Sequence, residues 1–99
     1  MYLYLLKNEN KYKIGLSKHP HKRIKQLQTG NSKTIKLVEM FESKYPTTLE
    51  KSFHNIYKMN RLIGEWFELP KEFESTFLEE CNRLENTIDI LKSNGNKFI

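Results

Sequence analysis

The sequence predicts a small α/β domain of the α+β kind: a central three-stranded antiparallel sheet flanked by helices, with a further helix at the C-terminal end. Three observations predict it. Residues 2–6 and 12–17 alternate as strands do, with a polar loop between them. Two later stretches carry apolar residues at helical spacing. A chain of 99 residues holds one modest core and not two.

The first two runs, "YLYLL" and "YKIGLS", flank "KNENK" and read as a hairpin. If the loop is residues 8–11, Lys7 faces Tyr12. Leu3, Leu5, Ile14 and Leu16 then share one face, and Tyr2, Tyr4, Leu6, Lys13 and Gly15 share the other. This register sorts the aliphatic set onto one side. It also makes Tyr4 and Lys13 diagonal neighbours within reach of long side chains.

"SKHPHKRIKQLQTG" follows as a helix, with Pro20 suited to its first turn and Gly30 to its end. Ile24 and Leu27 can dock, while Lys22, Arg23, Lys25 and Gln26 stay solvated. "TIKLVEMFES" (34–43) reads as the third strand, with Ile35 and Leu37 on one face and Glu39 a candidate third. "YPTTLEKSFHNIYKMNR" reads as a helix whose apolar stripe is Leu49, Phe53, Ile56 and Met59 or Asn60. A polar stripe runs beside it through Glu50, His54, Tyr57 and Arg61. "GEWFEL" (64–69) is a turn and a short extended piece. From Pro70 a helix carries Phe73, Phe77, Cys81, Leu84, Ile88 and Leu91 over the sheet and stops near "NGN" at 94–96, with Gly95 as the cap. Residues 1–69 are expected to form the core and 70–99 a helix packed on it, one domain in all.

Charge divides the chain. Residues 1–37 hold nine Lys and Arg against the single acid Glu9, and residues 38–99 hold eight against eleven acids. A Lys-rich composition alone would not place nearly all the acids in the second half, so the split points to a polyanionic partner. No apolar run approaches the length of a bilayer span, and no basic-then-apolar leader opens the chain. The lone Cys81 forms no internal disulfide, so a reducing, cytoplasmic location and a packed thiol are expected.

Phosphodiester hydrolysis needs a base for water, a cation for developing charge and an orienting group for phosphate. Tyr4 qualifies as a base if Lys13 acidifies its phenol. Arg23 offers a planar fork for phosphate. Glu50 offers a hard oxygen ligand for Mg²⁺ or Mn²⁺. Each also has an ordinary structural reading: Tyr4 and Lys13 as strand residues, Arg23 as an exposed cation, His54 as a hydrogen-bonded core residue. For Glu50 the ordinary reading is the sharpest, because "TTLE", Thr47 to Glu50, matches a capping box.

"YLY", then "KIG", then Arg23 eight residues after that glycine, then Glu50 in a later helix and a "GEWF" tail, resembles the GIY-YIG nuclease family over residues 2–69. It is similar in particular to a short phage, viral and bacterial branch. The resemblance implies a divalent-metal-dependent endonuclease acting on DNA, with Tyr4, Lys13, Arg23, His54 and Glu50 as catalytic residues and Glu50 also the metal ligand. It implies a substrate-binding role for Tyr12 and for Gly15, the glycine of the second motif. Tyr12 is a second candidate, beside His54, for the proton-transfer partner. Lys18, His19, His21, Lys22 and Lys25 would track the neighbouring backbone. The chain departs from the family in carrying Tyr2 for the first motif's glycine, Leu27 where relatives carry His or Tyr, and "TGNSKT" in a loop that carries a further histidine in some relatives. No separate DNA-reading module fits in this length, so specificity would be low or would come from a homodimer or a protein partner. The rival expectations are a nucleic-acid-binding module without catalysis and a structural protein docking through its acidic last helix.

Overall fold

A computed structural model describes residues 1–30 and 33–95. Asn31 and Ser32 of the "TGNSKT" loop, and Asn96 of "NGN", lie outside the described residues. The elements run β1 (Tyr2–Asn8), β2 (Lys11–Ser17), α1 (Pro20–Thr29), β3 (Lys36–Glu42), α2 (Pro46–Ile56), a 3₁₀ turn (Lys58–Asn60), β4 (Trp66–Glu68) and α3 (Phe73–Ser93).

The hairpin adopts the register that the alternation demands, with Lys7 opposite Tyr12 and Tyr4 opposite Gly15. Pairing runs one step further than expected, to Asn8 opposite Lys11, so the loop shrinks to Glu9 and Asn10. Glu9 takes the tight turn at φ 59°. The sheet is four-stranded and antiparallel, in the order β3-β1-β2-β4. The fourth strand is the "WFE" of the short extended piece, laid against the outer edge of β2 with Trp66 opposite Lys13. A register shift between Leu5 and Leu6 splits β3: Leu37 pairs with Leu6, whereas Glu39 pairs with Leu5 on the opposite face. Glu39 therefore does not join Ile35 and Leu37.

The two sheet faces carry separate cores. Leu3, Leu5, Tyr12 and Ile14 pack with Leu49 and Phe53 of α2 and with Phe73, Phe77, Cys81 and Ile88 of α3. On the other face Tyr4, Leu6 and Ile35 pack with Ile24 and Leu27 of α1, and with Leu37 and Trp66. No helix among the described residues is long and apolar enough to cross a membrane.

Helix α2 is shorter than its periodicity suggests. It stops at Ile56, and the 3₁₀ turn redirects the chain towards β4. Ile56 and Met59, expected on the apolar stripe, are therefore exposed, Met59 at 89%. Tyr57, expected on the polar stripe, turns inward and donates its hydroxyl to Glu80 of α3. Arg61 donates to the Gly64 carbonyl instead of extending the stripe. Helix α3 ends at Ser93, with Gly95 at φ 76° after it.

Three weak acids, Tyr12 and Cys81 buried and Tyr57 half-buried, make the fold sensitive to high pH. Burial is the first cause for each: Tyr12, bonded to Glu74, is pushed up to about 12, as are Tyr57, bonded to Glu80, and the Cys81 thiol. A raised folded pKa means that the unfolded chain loses these protons first. Stability is therefore whole below the ordinary thiol and phenol values and falls as pH rises towards 12. Urea midpoints measured from pH 8 to 11.5 should fall steeply over the upper part of that range. A flat profile would contradict the burial of these groups.

Candidate active site

The candidate site lies on the α1 face of the sheet, at the edge of β2 that β4 leaves uncovered. Tyr4 is its floor. The phenol lies across its cross-strand partner Gly15, where an added Cβ would stand 2.5 Å from Tyr4 Cζ and 2.9 Å from Cε1. Gly15 is needed for this close approach, not for its backbone angles.

Arg23, from the start of α1, sets its guanidinium beside the phenol, close enough to act on the hydroxyl's pKa. Two opposing influences act on that phenol. Burial, the larger, raises its pKa above 10; the Arg23 guanidinium lowers it, and the nearby carboxylates of Glu50 and Glu65 raise it. Tyr4 is therefore neutral, with its own hydrogen free to donate. The expectation that Lys13 acidifies the phenol is corrected: Arg23 is the adjacent cation, and burial outweighs it. Lys13 turns instead to Glu65, with Nζ 3.5 Å from Oε2.

Glu50 and His54 enter from α2. Pro46 opens that helix with Tyr45 as its N-cap, and no side chain caps it. Thr47 is therefore inside the helix and the capping box does not form, which corrects the ordinary reading of Glu50. Among the described residues Glu50 makes no hydrogen bond or ion pair. Burial raises its pKa first; His54 lowers it, Glu65 raises it and Lys13 lowers it. His54, one turn on, lies 3.0 Å through Nε2 from the Ile14 carbonyl. That carbonyl belongs to the residue just past the last β2–β4 pair, Lys13 with Trp66. A carbonyl only accepts, so Nε2 is the nitrogen that carries the hydrogen, and in the neutral tautomer that matches this contact Nδ1 is the acceptor. Phe67 flanks the ring at 5.3 Å.

Tyr4, Lys13, Gly15, Arg23, Glu50 and His54 thus share one neighbourhood. Tyr12 does not. It is 1% exposed on the opposite sheet face and donates its hydroxyl to Glu74 at 2.6 Å. It can neither bind substrate nor take a proton at this site. Lys18, His19, His21 and Lys22 line an adjoining cavity, and Lys25 is exposed on α1 outside it. Glu65 is the residue that sequence reasoning missed. It follows Gly64, whose φ of 76° makes the turn into β4, and its charge reaches both Tyr4 and Glu50. Its signal was the "GEWF" tetrapeptide itself.

Among the described residues no cluster of three or more His, Cys, Asp or Glu is assembled. A hard cation such as Mg²⁺ needs no such cage, because one or two carboxylates with water and phosphate suffice. Glu50, half-buried and without a hydrogen bond, with Glu65 beside it, fits that requirement.

A family model described as "T5orf172 domain" matches residues 1–92. The chain belongs to the T5orf172 domain family. Neither a curated protein nor a solved structure matches it. The matched span of this T5orf172 domain takes in every element bearing a site residue and nearly all of α3. A T5orf172 domain is consistent with a nuclease-like or nucleic-acid-binding module.

Proposed function

We propose that the protein is a divalent-metal-dependent endonuclease of the GIY-YIG type that hydrolyses DNA phosphodiester bonds with little intrinsic sequence specificity. The observation that carries this reading is the meeting of Tyr4, Arg23 and Glu50, from three elements, around one phenol.

Tyr4 is 2% exposed, whereas Arg23 at the rim is solvent-exposed. A phosphate draws the Arg23 fork outward and takes paired hydrogen bonds from it. This opens the phenol, whose hydroxyl then holds the attacking water in line. The water gives its proton to the Nδ1 lone pair of His54. The new P–O bond forms as the bond to the leaving oxygen breaks. Lys13 faces the charge that builds on the phosphate. Glu50, with Glu65 nearby, would hold a divalent cation, which when bound would supply Lewis-acid charge at the phosphate. The exposed cations of α1 hold the adjoining backbone without reading sequence. Any specificity would come from a second copy or a protein partner.

The test is relaxation of supercoiled plasmid in Mg²⁺, in Mn²⁺ and in chelator. Nicking is expected with either metal and not with chelator. Tyr4→Phe, which keeps the ring and removes the hydroxyl, should slow nicking by about a hundredfold. Salt-sensitive binding with no nicking under any of these conditions would leave only the non-catalytic binding module.

A further inference from the structure

Beside the Tyr4 group a cavity of about 410 Å³ opens between the start of α1 and the sheet. Its size falls within the roughly 300–1,000 Å³ of small-molecule pockets. The lining divides by chemistry. Tyr2 from β1, Met40 from β3 and Pro20 from α1 form an apolar floor. Lys18 and Lys22, with the imidazoles of His19 and His21, form a cationic rim.

The cavity is in step with the candidate site. Tyr2 lies two residues before Tyr4 on the same strand face, roughly 7 Å along it. Met40 is the cross-strand partner of Tyr4. Glu42 is the cross-strand partner of Tyr2, and its carboxylate stands near enough to raise the phenol's pKa. This ring stands where the GIY-YIG pattern has glycine, so the wall it makes is a feature of this chain.

A surface that only tracks phosphates needs cations and no apolar floor. Here a phenol ring and a thioether, with Met40 38% exposed, lie uncovered between ammonium groups. A flat π-face with a phosphate on either side complements that arrangement. We propose that this cavity is a base-binding subsite: it takes one unpaired nucleobase of the strand whose phosphate reaches Tyr4 and Arg23, stacks it on Tyr2 and Met40, and holds the flanking phosphates on Lys18 and Lys22. A base paired in a duplex cannot enter, so the subsite selects single-stranded or locally opened DNA. The inference rests on the nucleic-acid reading of the site but not on cleavage.

The experiment is fluorescence anisotropy in chelator with the full chain. Two labelled single-stranded probes of equal length and charge are compared, an oligothymidylate and one built wholly of abasic residues. The oligothymidylate should bind about tenfold more tightly, with the same salt slope for both. Tyr2→Ala should remove most of that difference and Tyr2→Phe should keep it. Met40→Ala, on the neighbouring strand of the same floor, should also reduce it. Equal affinity of the two probes for the wild-type protein overturns the subsite, as does a difference that survives both Tyr2→Ala and Met40→Ala. Failure of both probes to bind would end the nucleic-acid reading itself. Base-dependent binding without plasmid nicking would keep the subsite and remove only the endonuclease.

Discussion

Glu50→Gln is expected to abolish metal-dependent nicking while leaving the fold as stable as the parent or more so. The two effects share one cause. Glu50 sits in the second turn of α2, too far in to cap it, and among the described residues no hydrogen bond or ion pair holds its carboxylate. Burial raises its pKa above the ordinary carboxylate value, and Glu65 adds to the shift. A carboxyl whose folded pKa is raised stabilises the fold below its unfolded value, and that contribution is lost as pH rises through the folded value. At neutral pH the ionised group therefore costs the fold something, and the isosteric amide does not. Melting temperatures at pH 7 should place Glu50→Gln level with or above the wild type. The gap should close as pH falls through the carboxyl range and Glu50 takes up its proton, ahead of an ordinary glutamate. Changes to groups behind a metal ligand cost roughly 10–100-fold, so loss of the ligand itself should cost more than about a hundredfold in nicking rate. A variant that nicks like the parent removes the metal role. One that is less stable at pH 7 shows that the carboxylate holds the fold.

What the sequence disclosed depended on the range over which its signals act. The hairpin register was legible because a one-residue slip would scatter Leu3, Leu5, Ile14 and Leu16 across both faces. The same register places Tyr12 with those residues, so its exclusion from the site was available from the sequence as well. Two short-range patterns competed at the start of α2. The "TTLE" signature suggested a cap at Thr47, but Pro46, pre-set for the first helical turn, takes the start of the helix. The fourth strand was not legible, since the three residues Trp66–Glu68 carry no periodicity and pair only because β2 offers an open edge. Glu65 was lost with it, because its pairing with Lys13 depends on that ladder. The true neighbour of the Tyr4 phenol was hidden for a related reason. Strand alternation puts Lys13 on the right face, but which helical residue crosses that face is decided by how α1 docks through Ile24 and Leu27.

Gly15→Ala should disable the site through a single methyl group. The added Cβ would overlap the outer part of the Tyr4 ring, at 2.5 Å from Cζ and closer still to the hydroxyl oxygen. An exposed tyrosine would swing aside at little cost. This one is packed among Leu6, Ile35, Ile24, Leu27, Leu37 and Trp66, so the ring moves only if that cluster opens. Overpacking of this kind costs roughly 1–3 kcal/mol, read as a fall in the urea midpoint. The displaced hydroxyl also leaves Arg23, so nicking should fall at least as far as in Tyr4→Phe. A double-mutant cycle separates the collision from any other effect of the methyl. In a Tyr4→Ala background there is no ring to strike, and Gly15→Ala should then cost almost nothing, giving a coupling of about 1–3 kcal/mol between the two positions. If the methyl costs the same with and without the ring, the phenol does not lie across Gly15, and the hydroxyl position on which Arg23 and Glu50 converge is lost with it.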